Sequence, residues 1–371
     1  MEHTRAAELG TQERTLKGAK VSRRTLSRCK TLAALGALAL GMLLAGCGSS
    51  GEKGTGEEGS GRVSSAEAQP AVGPIEEPAR SVVRDAAARV DEASIQTGLA
   101  HLTGASPAPL AGGEVTIAER GSEEGREAAA RYMEESFEAV GVPARILEFT
   151  VDDRRGFNVE ATLEGTLGEA DGGKHLWVTA HLDSVYNAGA SDDASGLVTL
   201  LETAKALKQV EPEHTVHFVA FDFEEIGLYG SSNYVENVVS EVREREGEEA
   251  IIGGINSDMV GYDEGGFEAV MGSCNQAGTL DDAVLQALPA IDSPLNLTDD
   301  CLARSDHQNF WDAGYPALIL TDGTKYDSYP WYHKSGDTVD KLNISYLRSM
   351  IQLIAASTTI LATTEGTEGQ A

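Results

Sequence analysis

The sequence predicts an α/β protein, a three-layer sandwich in which helices flank a mixed, mainly parallel central sheet. Three observations carry that prediction. Along residues 122–361 the apolar period switches repeatedly between the helical and the extended repeat. Leu176-Trp177-Val178-Thr179-Ala180 is continuously apolar apart from one threonine, the pattern of a strand buried on both faces. Histidines and acidic residues gather just after such runs, where sheets of this kind place their chemistry.

Taken in order, Ser122 caps a helix whose Ala129, Tyr132, Met133, Phe137 and Val140 recur at three- and four-residue steps before Gly141 ends it. Strands are expected at 144–151 and 157–163, then through the apolar run 176–180. A helix over 194–208 precedes strands over 215–223, 251–258 and 317–321. An amphipathic helix from 339 to about 361 closes the pattern.

Among 371 residues, 59 are acidic and 29 basic, a formal charge of −30. That charge repels phosphate backbones and argues against nucleic acid as a partner. Four cysteines are too few for a disulfide scaffold, and Cys274 with Cys301 is left open between a disulfide and two thiols. The N-terminus reads as a signal peptide, with basic Arg23, Arg24, Arg28 and Lys30 before the apolar run 32–45. Leu44-Ala45-Gly46-Cys47 resembles a bacterial lipobox, which implies a lipidated Cys47, a membrane anchor and an exported, cell-envelope location. A plain secretory signal or a short anchor is the alternative, and Ser22-Arg23-Arg24 faintly resembles a twin-arginine signal. The expected organisation is a leader over 1–47, a Gly/Ser/Glu/Pro linker over 48–80 with a reach of about 30 Å, a folded domain over 85–362 and a polar tail over 363–371.

Five stretches carry candidate chemistry. His181 and Asp183, two residues apart, share one side of an extended chain, so Asp183 either satisfies the ring or orients it toward a metal. Asp192, within 189–196, reads by itself as a helix cap. Glu224-Glu225 follows a buried strand, where unpaired charge is costly. Asp258 ends another apolar strand, and Tyr332-His333 lies in a loop before the last helix. Two histidines and several carboxylates suit zinc or a similar divalent ion. Two ions are favoured by charge, since two neutral histidines and three carboxylates offset all but one unit of +4, which a hydroxide closes.

These stretches, with Gly227-Leu228-Tyr229-Gly230-Ser231 and Arg304-Ser305-Asp306-His307, resemble the M28 family of zinc aminopeptidases over about residues 85–361. The resemblance implies the zinc aminopeptidase/phosphorylase-like fold and two zinc ions, other divalent metals being possible. His181 and Asp258 would hold the first ion, Glu225 and His333 the second, and Asp192 would bridge them. Asp183 would orient His181, Glu224 would be the general base, and Tyr332 would assist the oxyanion. Asp306 belongs to a segment near the site, with its role open. Ser191 and Asp193 depart from residues common in the family. The implied activity is hydrolysis of the N-terminal peptide bond of peptides with a free amino end. A carboxypeptidase, with Arg304 on the substrate carboxylate, and a glutaminyl-cyclase-like enzyme are the alternatives. No GxSxG elbow is present, and the GxxxxGK match at 168–174 runs into a strand instead of a helix, which excludes a phosphate loop.

Overall fold

A computed structural model describes residues 73–363, apart from 325 and 327. The leader ending at Cys47, most of the linker and the tail beyond Thr363 lie outside the described residues. The described chain opens with helices α1 (Ala79–Ala88) and α2 (Glu92–Leu102), a hairpin of β1 (Ala108–Leu110) and β2 (Gly113–Val115), and the long helix α3 (Glu123–Ala139). Then come β3 (Ala144–Val151), β4 (Arg154–Leu163), β5 (His175–His181), α4 (Ser195–Lys208), β6 (Thr215–Phe221), α5 (Tyr229–Tyr234) and α6 (Ser240–Glu246). The last part comprises β7 (Ile251–Ser257), β8 (Glu268–Gly272), α7 (Thr279–Ala290), β9 (Asn296–Asp300), α8 (His307–Asp312), β10 (Ala317–Asp322) and α9 (Ile344–Ala362).

Eight strands form one mixed sheet in the order β3-β4-β6-β5-β7-β10-β8-β9. Its centre, β6-β5-β7-β10, is parallel, and antiparallel strands extend it on both sides. The parallel strands are buried on both faces, which is why they read as unbroken apolar runs. Over one face α4 and α9 pack with α1, α2, α3 and α7 in a single apolar core. Over the other, Trp177, Val219 and Phe221 meet Tyr234, Val239 and Val242 of the α5–α6 region and Phe310 and Trp311 of α8. The result is the expected three-layer sandwich. Helix starts follow their caps. The Ser122 hydroxyl accepts the Gly125 amide ahead of α3, and the Asn343 side chain accepts the Tyr346 amide ahead of α9.

Several boundaries differ from the sequence expectation. Strand β6 stops at Phe221, not at 223, because Phe223 takes φ +62° and turns the chain outward. The last helix begins at Ile344, since a separate 3₁₀ turn occupies Val339–Lys341. Regular helix α4 starts at Ser195, after an irregular segment over Ala190–Ala194. Sequence periodicity did not reveal β8, β9, α7, α8 or the helices between 229 and 246. Strand β9 is a short, largely exposed edge whose residues Asn-Leu-Thr-Asp-Asp show no apolar alternation. Cys274 and Cys301 are joined in a disulfide, with an S–S distance of 2.03 Å.

Candidate metal centre

The parallel strands deliver their polar residues to one edge. His181 is the last residue of β5, Glu224 and Glu225 follow β6, and Asp258 follows β7. Asp192 comes from the turn into α4, and His333 from the long loop between β10 and α9. Ligand sites of open α/β sheets lie at this carboxyl edge.

There the structure brings together all five expected metal ligands. His181 Nε2 lies 2.9 Å from Asp192 Oδ1 and 3.7 Å from Asp258 Oδ1. His333 Nε2 lies 2.9 Å from Glu225 Oε2 and 3.3 Å from Asp192 Oδ2. Asp192 thus faces one histidine with each oxygen, the placement expected of a bridge. His181 is buried, whereas the His333 side chain is 38% exposed, so the cluster opens to solvent on the His333 side. Asp192 Oδ2, Glu225 Oε1 and Asp258 Oδ1 are buried and have no hydrogen-bond partner among the described residues. Buried carboxylate oxygens without a donor are costly, and a cation would satisfy all three. The donor set of imidazole nitrogens and carboxylate oxygens therefore fits zinc.

Asp193 also lies near His181 and Asp258, but its carboxylate serves the backbone. It accepts the amides of His181 (3.2 Å), Gly196 (2.8 Å) and Met259 (3.3 Å), which joins the ends of β5 and β7 to α4. Gly196 has to be glycine, since a Cβ there would lie 2.2 Å from Asp193 Oδ2 and 2.6 Å from the Ser257 carbonyl.

Asp183 does more than orient His181. The closest contact of His181 Nδ1 is with the Asp183 main-chain carbonyl at 3.2 Å, the carboxylate lying 3.6 Å away. That carboxylate accepts the Glu224 amide (3.0 Å) and the Glu225 amide (3.3 Å), so it also fixes the turn that presents both glutamates. The same turn is anchored by Asp222, paired with Arg126 at 3.0 Å and accepting the Phe157 and Phe223 amides.

The electrostatics are those of crowded carboxylates around two rings. Burial by itself would lower His181, but Asp183, Asp192 and Asp258 raise it well above the ordinary histidine value. The Asp192 and Glu225 carboxylates beside its ring raise His333 to about 10. Burial and then Asp192 push Glu225 up to about 7. Burial also pushes Glu224 well above the carboxylate range; His181 opposes that shift, while Asp258 and Asp306 reinforce it. Tyr332 stacks on the His333 ring at 3.8 Å, and burial with Asp192 and Asp258 raises its hydroxyl. Asp306, fully buried, is pushed up to about 8 by burial and by Asp183 and Asp258. Arg304 holds its guanidinium over the Tyr326 ring.

Sequence reasoning missed Arg120 and Asp337, which support the Asp192 turn. An arginine before a helix and an aspartate in Ser335-Gly336-Asp337 both read as solvated loop residues, so no local signal marks them.

This fold and site define a class, an α/β sandwich with a candidate metal centre at the carboxyl edge of its sheet. The model of peptidase family M28 matches residues 158–358, which include all five candidate ligands, and the chain belongs to that family. Aminopeptidase YwaD of Bacillus subtilis is 32% identical over 188 residues, covering 49% of this chain and 40% of the relative. The chain spans about half the length of the curated relatives it matches. A zinc aminopeptidase of Bacillus subtilis, BSAP, has the same fold, with a TM-score of 0.65 at 16% identity over 76% of this chain and 97% of that one. The fold is also shared by a glutaminyl cyclase of Fimbriiglobus ruber, with a TM-score of 0.58 at 19% identity over 72% of this chain and 94% of that one.

Proposed function

We propose that the protein is a metal-dependent exopeptidase that hydrolyses the N-terminal bond of peptides with a free amino group. The observation that carries this reading is the convergence of three partnerless, buried carboxylate oxygens on two histidine rings, with Asp192 facing both. His181 and Asp258 would hold one zinc ion and Glu225 and His333 the second, with Asp192 between them; other divalent ions suit the same donors. When bound, the pair supplies Lewis acidity and a water acidic enough to ionise near neutral pH.

The chain's own residues do the rest. Glu224, whose raised affinity for a proton follows from burial among carboxylates, takes a proton from water and delivers it to the leaving amine. Asp183 keeps that glutamate in place through its amide hydrogen bond. The Tyr332 hydroxyl, kept protonated, is a donor for negative charge developing on the scissile carbonyl oxygen. The acidic surroundings attract the substrate's α-ammonium. A full ligand set of five favours this reading over a cyclase of the same fold. We place the activity on the cell envelope, with Cys47 as the lipid-bearing residue; Cys47→Ser should then release the protein from the membrane fraction.

The test is metal analysis of the full chain beside assays on one peptide in free and N-acetylated form. About two zinc ions per chain, cleavage of the free peptide alone and loss of cleavage on chelation are expected. Cleavage of the acetylated peptide from its carboxyl end, or activity that survives exhaustive chelation, would overturn the proposal.

A further inference from the structure

Asp192 owes its position to two residues far from it in sequence, which grip its turn from opposite sides. On one side is Arg120, fully buried ahead of α3. Its Nε donates to the Leu182 carbonyl (2.8 Å), Nη1 to Leu102 (2.9 Å) and Ala188 (2.8 Å), and Nη2 to Gly189 (2.9 Å). All four acceptors are main-chain carbonyls, and among the described residues no carboxylate forms an ion pair with it. On the other side is Asp337, also fully buried. Its carboxylate accepts the amides of Ser191 (2.8 Å) and Asp192 (3.1 Å) and the Tyr329 hydroxyl (2.8 Å), and its own carbonyl accepts the Ala190 amide (3.3 Å). Asp337 lies four residues after His333, so one carboxylate ties the loop of one candidate ligand to the loop of another. Gly189 completes the fit: at φ +54°, a Cβ would lie 2.4 Å from the Asp192 carbonyl and 2.8 Å from Arg120 Nη2.

A buried guanidinium is unfavourable unless dipoles or charges compensate it. Here four carbonyl dipoles do so, together with the field of Asp193, Asp337, Asp192 and Asp183. In return, a fixed positive charge behind those carboxylates reduces their mutual repulsion before any cation arrives. We propose that Arg120 and Asp337 are positioning residues that clamp residues 188–192 by their carbonyl and amide sides and preform Asp192 for metal. The inference rests on the metallopeptidase reading above.

It is tested on the full chain with Asp337→Asn, Arg120→Lys and Arg120→Met. The measurements are zinc affinity by competition with a chelating dye, the visible spectrum of the cobalt(II) form and thermal unfolding of the metal-free proteins. Asp337→Asn keeps the volume but sets a donor NH2 group against one of the two backbone amides, where the carboxylate accepted from both. It should weaken zinc binding roughly 10- to 100-fold and alter the cobalt spectrum while the metal-free protein still unfolds cooperatively. Arg120→Lys keeps the charge but cannot span all four carbonyls, so it should fall between wild type and Arg120→Met. If the Arg120 variants do not fold, Asp337→Asn decides alone. Wild-type zinc affinity and an unchanged cobalt spectrum in Asp337→Asn would overturn the clamp and leave the metallopeptidase reading intact. A wild-type chain that takes up no zinc would overturn both.

Discussion

Asp192 and Glu224 lie at the same sheet edge, yet their surroundings give them opposite roles. The neighbouring His181 and His333 rings overcome the burial of Asp192 and hold its carboxyl below the usual range, as befits the proposed ligand that stays charged. Glu224, with no such partner among the described residues, is driven up by burial, as befits the proton-transfer role proposed for it. Glu224→Gln should therefore keep about two zinc ions per chain while kcat falls roughly 10²- to 10⁴-fold. Asp192→Ala should lose both ions. Zinc content measured beside turnover separates these outcomes, and a Glu224→Gln enzyme with wild-type turnover would refute the assignment.

The elements that carry the site are held by polar contacts as well as by apolar packing. Glu160 on β4 accepts the Tyr234 hydroxyl of α5 at 2.6 Å, faces His217 Nδ1 on β6 at 3.0 Å and pairs with Arg145 of β3. One carboxylate thereby joins three strands to the helix that follows the Glu224-Glu225 turn. Burial would raise its pKa, but His217, Tyr234 and Arg145 lower it from 4.5 to about 2. The folded state thus holds this proton less tightly than the unfolded state. The stabilisation is present above pH 4.5 and is lost as pH falls toward 2, an effect of about 3 kcal/mol. Urea unfolding of wild type and Glu160→Gln should show a stability gap that narrows through this window; a gap that does not change with pH would contradict the network. His307, which burial lowers to about 4, adds in the same direction, because the unfolded chain takes up its proton first as pH drops below 6.5.

For the whole molecule, the chain carries a formal charge of −30, and the proposed substrate presents a cationic N-terminus. Screening should matter, so kcat/KM for a free-amine peptide should fall severalfold as ionic strength rises from about 0.01 to 1 M. A salt-independent kcat/KM would exclude a steering role. Much of this molecule was legible in the chain itself. The parallel core strands announce themselves because burial on both faces leaves only apolar residues, and His181, Glu225 and Asp258 are visible as candidate ligands because each ends or follows such a strand, whereas Asp192 and His333 stand in loops. Strand β9 and the helices between 229 and 246 were not legible, since their formation depends on the sheet edge or face they cover. The choice of Asp192 over Asp193 rested on the family resemblance, since the two are neighbours of one residue type, of which one faces two histidines and the other three backbone amides. By itself the sequence determined the succession of the parallel core strands with α3, α4 and α9 and the residue types of the candidate ligands, because period and residue type are local properties. Only the tertiary structure decided that Arg120 and Asp337 close around the Asp192 turn, because those side-chain contacts join residues 68 to 146 positions apart and exist only once the sheet has brought its strand ends to one edge.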